Sequence, residues 1–366
     1  YREHRDLPSF PTRRSSDLIA SRLRDLVDDQ IEPNVKREDE GGCGVTGFAS
    51  TVPLAGRHIF EPSIRMHNRG NGKGGGIAAV GFDHDKLGVS REVLDTHYLL
   101  NIALLEPSCL AALKEDFVSP YFDVAHEEIL DHIPDYRELD GLDVKPPDVW
   151  RAFVRVKPDI LRTFVQRHGL NEMKGRWPED EFVSRNSIAL NRRFYSSLGE
   201  KQAFVLSHGI NMMILKIVGY AENVVKYYKL DDFPAHIWIA HQRYPTRGRV
   251  WHPGGAHPFI GLNEALVHNG DFANYYAVCD YLRQRGIWPQ FMTDTEVSVL
   301  LFDLWNRVYG YPLEVIIEAL APTGELDFDL LPPEKQSLYD IVQSTHIHAS
   351  PDGPWFFIIA RNIPEK

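Results

Sequence analysis

Residues 41–50 read GGCGVTGFAS and place one cysteine, Cys43, between glycines at the start of an alternating run of small and apolar residues. The alternation in CGVTGFAS predicts a β-strand that begins beside the cysteine. A cysteine at a strand start ordinarily packs as a small hydrophobic residue. The flanking glycines leave this thiol approachable, however, so Cys43 is also a candidate nucleophile.

The composition of the chain limits the classes of function to consider. Its 366 residues are 43% hydrophobic and 25% charged, which is typical of a globular protein, and the formal net charge is −11. A clustered basic surface for nucleic acid or an anionic membrane is not indicated. The longest apolar runs are too short to span a membrane, and we expect a cytoplasmic protein. Its three cysteines have neither disulfide nor zinc-site spacing.

The first 42 residues differ in character from the rest. We interpret residues 1–18 as non-native, because SFPTRRSSDL resembles the translation of a sequencing adaptor and the chain begins without methionine. Residues 19–42 contain the short amphipathic run IASRLRDLVDDQI and a polar stretch that ends in two glycines. This segment is predicted to be a leader with an exposed joint.

Beyond Cys43 the patterns predict strands, then helices, then strands, which favours an α+β fold. Strands are predicted within 66–82, 236–244, 264–272 and 353–361, and helices within 149–170, 210–230, 273–286 and 294–310. The region from about residue 90 to 230 has the most helical periodicity. We therefore predict a helical insertion there.

Five motifs occur in a fixed order, namely CGVTGF, MHNRGNGKGGGIA, HQRYPTRG, LVHNGDFANY and TDTEV. In that order they resemble the class II glutamine amidotransferase domain of the N-terminal nucleophile hydrolases. The segment VWHPGGAHPFIGLNEALVHNG is most similar to the amidotransferase domain or subunit of glutamate synthase. The resemblance implies an amidotransferase type 2 domain over residues 43–366, a four-layer αββα sandwich with the helical insertion, and a truncated carboxyl end.

The resemblance implies that Cys43 attacks the side-chain amide of L-glutamine. As the first residue of the mature protein, its own α-amine would be the base, because an α-amine has a pKa near ~7.7–8. Asn269 and Gly270 would form the oxyanion hole. Taken alone, the Asn-Gly pair is typical of a hairpin turn.

The same resemblance assigns the substrate-binding residues. Arg243 would hold the α-carboxylate of glutamine, and a surface salt bridge is the alternative for this arginine. Thr246 would shape the same turn or add a hydrogen bond, with ordinary turn chemistry as its alternative. Asp294 would bind the α-ammonium group, and its alternative is a helix N-cap.

Cofactors and partners follow from the resemblance as well. No cofactor or metal is expected in this chain; FMN and an iron–sulfur cluster are expected on a partner synthase subunit that accepts the ammonia. His236 and His241 lie five residues apart in a strand pattern and would face opposite sides, which disfavours chelation. Open alternatives are the amidotransferase domain of another ammonia-using synthase and a catalytically silent regulatory or binding subunit.

The leader generates the first testable prediction. The α-amine of Cys43 can act as a base only after cleavage between Gly42 and Cys43, because an amide nitrogen does not accept the thiol proton. We expect intact-mass measurement and amino-terminal sequencing of active protein to give a chain that begins at Cys43. Active protein that still carries the leader would contradict the mechanism.

Overall fold

A computed structural model of the chain describes residues 43–70, 72–173, 175–243 and 252–363. The predicted leader and the residues interpreted as non-native lie outside the described residues, as does Thr246. Within these ranges, no helix combines the length and apolar character needed to cross a membrane.

Eleven strands are found in the described residues. In chain order they are β1 (Gly44–Ala55), β2 (Gly75–Phe82), β3 (Tyr98–Leu104), β4 (Phe122–Ile129), β5 (Asp148–Val156), β6 (Ala203–Ser207), β7 (Met212–Ile217), β8 (Pro234–Gln242), β9 (Phe259–Ile260), β10 (Glu264–Gly270) and β11 (Trp355–Arg361).

The α-helices of the same ranges connect and cover these strands. They are α1 (Phe60–Arg65), α2 (Arg91–Thr96), α3 (Leu110–Phe117), α4 (Pro158–His168), α5 (Trp177–Phe194), α6 (Ala221–Tyr227), α7 (Tyr275–Arg283), α8 (Asp294–Asp303), α9 (Leu313–Leu320), α10 (Glu325–Phe328) and α11 (Pro333–His346). A short π-helix, Leu304–Val308, continues α8.

The described strands form three antiparallel sheets. The first sheet has the order β1-β8-β2-β7, the second β11-β10-β9 and the third β4-β5-β3-β6. Each sheet pairs strands that are distant in the sequence. In the first sheet, β8 lies between β1 and β2 and pairs with both. The sheets therefore bring the start of the described chain next to residues about 200 positions later.

An apolar core joins the first and second sheets. Ala78 and Val80 of β2 and Ile214 of β7 pack in one buried cluster with Ala265 and Val267 of β10. Alternate residues of each strand point to one face. The opposite face of the first sheet, which includes Ile77 and Ala79, belongs to a larger core shared with α6 and the third sheet. The first sheet is thus covered on both faces.

Helices cover the outer side of the second sheet. Buried side chains of α7, α8 and α9 form a further core, and Trp355, Phe357 and Ile359 of β11 pack against it. A fourth core fills the space between the third sheet and α3 and α5. Burial of these apolar faces supplies most of the favourable free energy of folding.

The α+β prediction is confirmed, but two helix predictions are wrong in their first halves. Residues Asp148–Val156 and Met212–Ile217 are strands, followed by the helices α4 and α6. Both strands are buried on both faces, so their sequences lack the polar alternation by which a strand is recognised. The region from about 90 to 230 contains five strands as well as helices, which corrects its description as a helical insertion.

Candidate active site

One end of the first sheet gathers the residues around Cys43. Gly44 of β1 and Gly75 of β2 both align with Gln242, the last residue of β8. Cys43 and Arg243 extend from these paired positions. The backbone N–H of Arg243 donates to the carbonyl oxygen of Gly74 at 2.7 Å. Strand pairing alone therefore brings the predicted nucleophile, Cys43, and the arginine predicted to bind the substrate carboxylate, Arg243, to the same edge.

Gly76, the second residue of β2, allows close packing at this edge. A Cβ atom at Gly76 would overlap the carbonyl oxygen of His257. Gly76 aligns with His241 on one side and Lys216 on the other. The missing side chain therefore leaves room for the His257 backbone to pack against β2 between His241 and Lys216.

Arg243 is buried, with 8% of its surface exposed, so the alternative of a surface salt bridge is wrong. Its Nη1 donates to the carbonyl oxygen of Gly255 at 3.1 Å. Burial lowers the pKa of Arg243, while the neighbouring Cys43, Asp294 and Tyr195 act to raise it. Cys43, Arg243 and Asp294, from three distant parts of the sequence, thus share one electrostatic environment.

Asp294 is the first residue of α8, but it is not the N-cap. Thr293 occupies that position, and its side chain accepts a hydrogen bond from the backbone N–H of Glu296 at 3.1 Å. The N-cap alternative for Asp294 is therefore wrong. The carboxylate is half-buried, and its Oδ1 lies 3.4 Å from Nδ1 of His268.

Glu296 fixes the loop that precedes α8. Its carboxylate accepts backbone N–H groups of Gln290 at 2.5 Å and Phe291 at 2.7 Å. Burial raises the pKa of Glu296 to about 7, although these hydrogen bonds and the nearby Lys216 act to lower it. Lys216 is itself buried, and its Nζ lies 3.5 Å from the centre of the Phe259 ring.

Asn269 and Gly270 end β10, where they align with Phe356 and Trp355 of β11. Both are strand residues, so the hairpin-turn alternative for this Asn-Gly pair is wrong. Gly270 has a φ of +138°. A Cβ atom there would overlap the carbonyl oxygen of Pro354, so only glycine fits. Asn269 follows His268, the residue that contacts Asp294.

Three buried histidines line the inner side of this region. The rings of His241 and His257 stack at a centroid distance of 3.8 Å, and those of His257 and His268 are nearly parallel at 6.3 Å. Within the described ranges, Asp83, His84 and Asp85 are the residues that bring three possible metal ligands within 4.8 Å of one another. The expectation of no metal in this chain stays a prediction.

The other two cysteines lie in apolar cores. Cys109 is 8% exposed and Cys279 1% exposed, and each belongs to a hydrophobic cluster. Both are therefore packing residues. Cys43, in contrast, is only half-buried.

Sequence reasoning missed several residues of this region. Thr295 and Glu296 stand inside the TDTEV motif beside Asp294, so their position was available as a signal. The sequence indicates only that His257 orders the loop between the two substrate motifs, and it assigns no role to His268. Lys216 lies in the apolar run MMILKI, where a single charged residue on a buried strand is the signal that could have identified it.

Comparison with known proteins finds no matching protein-family model. An uncharacterised protein of Archaeoglobus fulgidus is 29% identical over 331 residues, which are 89% of this chain and 79% of that protein. A glutamine–fructose-6-phosphate aminotransferase (isomerizing) of Campylobacter jejuni is 34% identical over 124 residues, which are 33% of this chain and 20% of that enzyme. The enzyme of the same name from Zymomonas mobilis is 38% identical over 85 residues, 23% of this chain and 14% of its own length. The chain thus spans a fifth or less of these two enzymes.

The buried Glu296 predicts a pH dependence of stability. Because its folded pKa lies above its ordinary value of 4.5, at about 7, the folded state binds this proton more tightly than the unfolded state. The resulting stabilisation is complete below pH ~4.5 and is lost as the pH rises towards ~7, by up to about 3 kcal/mol. Urea unfolding of wild type and Glu296→Gln between pH 4 and 8 should give a smaller loss with rising pH in the variant.

Two comparisons isolate this effect. Burial also raises the pKa of Glu264 to about 7, but that residue is present in both proteins and cancels in their difference. Glu325→Gln, at an exposed position of α10, serves as the matched control and should retain the wild-type slope. Identical slopes for wild type and Glu296→Gln would show that Glu296 does not titrate in this range.

Proposed function

We propose that residues 43–366 form a class II glutamine amidotransferase domain that hydrolyses L-glutamine to glutamate and ammonia. The observation that carries the proposal is the shared environment of Cys43, Arg243 and Asp294, in which a thiol lies near a buried cation and a half-buried carboxylate. The partial similarity to aminotransferases whose name includes glutamine supports the same substrate.

In the proposed reaction the thiol of Cys43 loses its proton to the α-amine of the same residue. The thiolate attacks the side-chain carbonyl carbon of glutamine and forms a tetrahedral intermediate. The C–N bond then breaks, and the proton held by the α-amine passes to the departing ammonia. Water hydrolyses the remaining thioester, which releases glutamate and restores the thiol.

The charged ends of glutamine are bound by opposite charges in this proposal. The Arg243 guanidinium has the planar shape that pairs with a carboxylate through two hydrogen bonds. Asp294 carries the negative charge that an α-ammonium group requires. Thr246, in the segment that follows Arg243 in the sequence, is proposed to complete the carboxylate site.

Asn269 and Gly270 are proposed to bind the oxyanion. The side-chain amide of Asn269 supplies an N–H donor, and Gly270 supplies its backbone N–H. The half-buried position of Asn269 and the exposed position of Gly270 at a strand end support a role towards a ligand rather than in a core. Donors aimed at the charge that develops in the reaction stabilise the transition state more than the substrate.

We also propose that the fold is the four-layer αββα sandwich of the N-terminal nucleophile hydrolases. The supporting features are two antiparallel sheets that share an apolar core, with α7, α8 and α9 outside the second sheet and α6 outside the first. The third sheet, β4-β5-β3-β6, would then be an addition to that sandwich.

The sequence motifs and the similar proteins favour different acceptors of the ammonia, and both are proposed as candidates. The sequence motifs favour a glutamate synthase-type partner that holds FMN and an iron–sulfur cluster. The two aminotransferases described above are named for fructose-6-phosphate, which favours a sugar-phosphate acceptor as the second candidate. Incubation of the processed protein and glutamine with each candidate acceptor system, followed by product analysis, separates the two.

The nucleophile is tested by glutamine hydrolysis. Cys43→Ala should abolish glutamate release, because no other group supplies the attacking sulfur, whereas Cys109→Ala should retain it, because that thiol is buried in an apolar core. Glutamate is measured in a coupled assay with protein that begins at residue 43. If processed wild-type protein releases no glutamate although it binds glutamine in calorimetry, the chain is the silent binding subunit instead.

Separate measurement of kcat and KM tests the proposed roles of Arg243 and Asn269. Arg243→Ala leaves the substrate carboxylate unpaired in a partly desolvated site, at a cost of roughly 2–5 kcal/mol, or tens- to thousands-fold in kcat/KM. Asn269→Ala should instead lower kcat by ~10²–10³, because the oxyanion exists only after attack. Arg243→Ala with unchanged kcat/KM for glutamine would contradict the proposed substrate.

A further inference from the structure

A buried hydroxyl lies at the meeting point of the segments that carry the predicted substrate ligands. Thr295 directly follows Asp294 and has no exposed surface. Its Oγ1 lies 2.6 Å from Nε2 of His257, 3.4 Å from Oδ1 of Asp294 and 3.4 Å from Nδ1 of His268. One side chain thus touches the loop before β9, the end of β10 and the start of α8.

The two histidines extend these contacts towards the other site residues. His257 stacks on His241 at 3.8 Å, and His241 stands two residues before Arg243 on the same segment. His268 stands directly before Asn269. The contacts of Thr295 therefore reach the segment that carries Arg243 and the segment that carries Asn269. They also reach Asp294, which is next to Thr295 in the sequence.

The hydrogen-bond chemistry of this group favours one arrangement. Burial lowers the pKa of His257 well below its ordinary value, so the ring is neutral and carries one proton. When Nε2–H of His257 donates to Thr295 Oγ1, the single hydroxyl proton of Thr295 is available to the Asp294 carboxylate, which only accepts. Nδ1 of His268 lies 3.4 Å from the same Oδ1.

With the Nδ1–H tautomer of His268, Oδ1 would accept from two donors, which would hold the carboxylate of Asp294 in one rotamer. Both contacts are to the same oxygen, Oδ1. A carboxylate fixed in this way binds a cation without first losing rotational freedom, and such preorganisation improves binding.

We propose that Thr295 and His257 are positioning residues that hold Asp294 in the orientation that binds the α-ammonium group of the substrate. The inference rests on the proposed function. It adds that recognition of the amino group depends on a buried hydroxyl that does not itself touch the substrate. The two residues act through Asp294 and should not affect groups of the substrate that Asp294 does not contact.

The experiment compares glutamine with 4-carbamoylbutanoate, which is glutamine without its amino group. Thr295→Val keeps the branched shape and removes the hydroxyl. We expect kcat/KM for glutamine to fall about 10- to 100-fold, mainly through KM, because a hydrogen bond to a charged group is lost. The inhibition constant of 4-carbamoylbutanoate against glutamine hydrolysis should stay unchanged, and its measurement requires no turnover of the analogue.

Three further variants separate positioning from general loss of structure. His257→Phe keeps a ring against His241 and should show the same selective defect as Thr295→Val. Thr295→Ser keeps the hydroxyl and should recover glutamine specificity. Ser298→Ala is the matched control, because the Ser298 hydroxyl is also buried and bonds to Asp294, but to its backbone oxygen at 2.7 Å. It should affect glutamine and the analogue equally.

The outcomes that contradict the inference are distinct from failure of the proposed function. If processed wild type hydrolyses glutamine and Thr295→Val either retains full specificity or weakens glutamine and the analogue equally, the positioning role is wrong and the amidotransferase proposal stands. If wild type, processed at Cys43, does not hydrolyse glutamine, both are wrong. Urea unfolding of every variant shows that the compared proteins are folded at the assay temperature.

Discussion

The pairing of β8 with both β1 and β2 is the constraint on which the candidate site depends. Gln242 aligns with Gly44 on one side and Gly75 on the other, so Cys43 and Arg243 must leave the first sheet at the same end. The Gln242 side chain strengthens this arrangement, because its amide donates to the Ser63 hydroxyl of α1 at 2.5 Å. A shift in register by one residue would turn Arg243 to the other face and separate it from Asp294.

The local patterns of the sequence were sufficient for the strands that border the site and for α7 and α8. They failed where strands are buried on both faces. VWRAFVRV and MMILKI contain too few polar residues to show a two-residue period, and each is followed by a true helix that extended the helical prediction backwards. In the third sheet, β5 was missed for this reason. The strands of this sheet pair over long sequence distances, for example β3 with β6, and no local pattern encodes such a partner.

The site shows the same division between what is local and what is not. Cys43, Arg243, Asn269 and Asp294 stand in short motifs and could be named from the sequence. The contacts of Thr295 and Lys216 could not, because the 2.6 Å contact between Thr295 and His257 joins residues 38 positions apart. The alternatives for Asp294 and for the Asn-Gly pair also required structure. Thr293 is as good a helix cap as its neighbour by residue type, and only the backbone decides which one caps α8.

Buried charge at this edge of the fold supports the proposed binding of an anionic group from outside. Burial lowers the pKa of both Arg243 and Lys216. For Lys216, the nearby Glu296 acts to raise the pKa, whereas Arg243 acts to lower it further. Positive charge on Arg243 disfavours positive charge on Lys216, because the two side chains repel each other in a low-dielectric region, and the carboxylate of Glu296 is already bound by backbone N–H groups. A ligand carboxylate at Arg243 would offset this repulsion, and an ammonium group on the same ligand would do the same for Asp294. A single α-amino acid carries both groups at a fixed separation, so it satisfies both residues at once, which a simple anion does not.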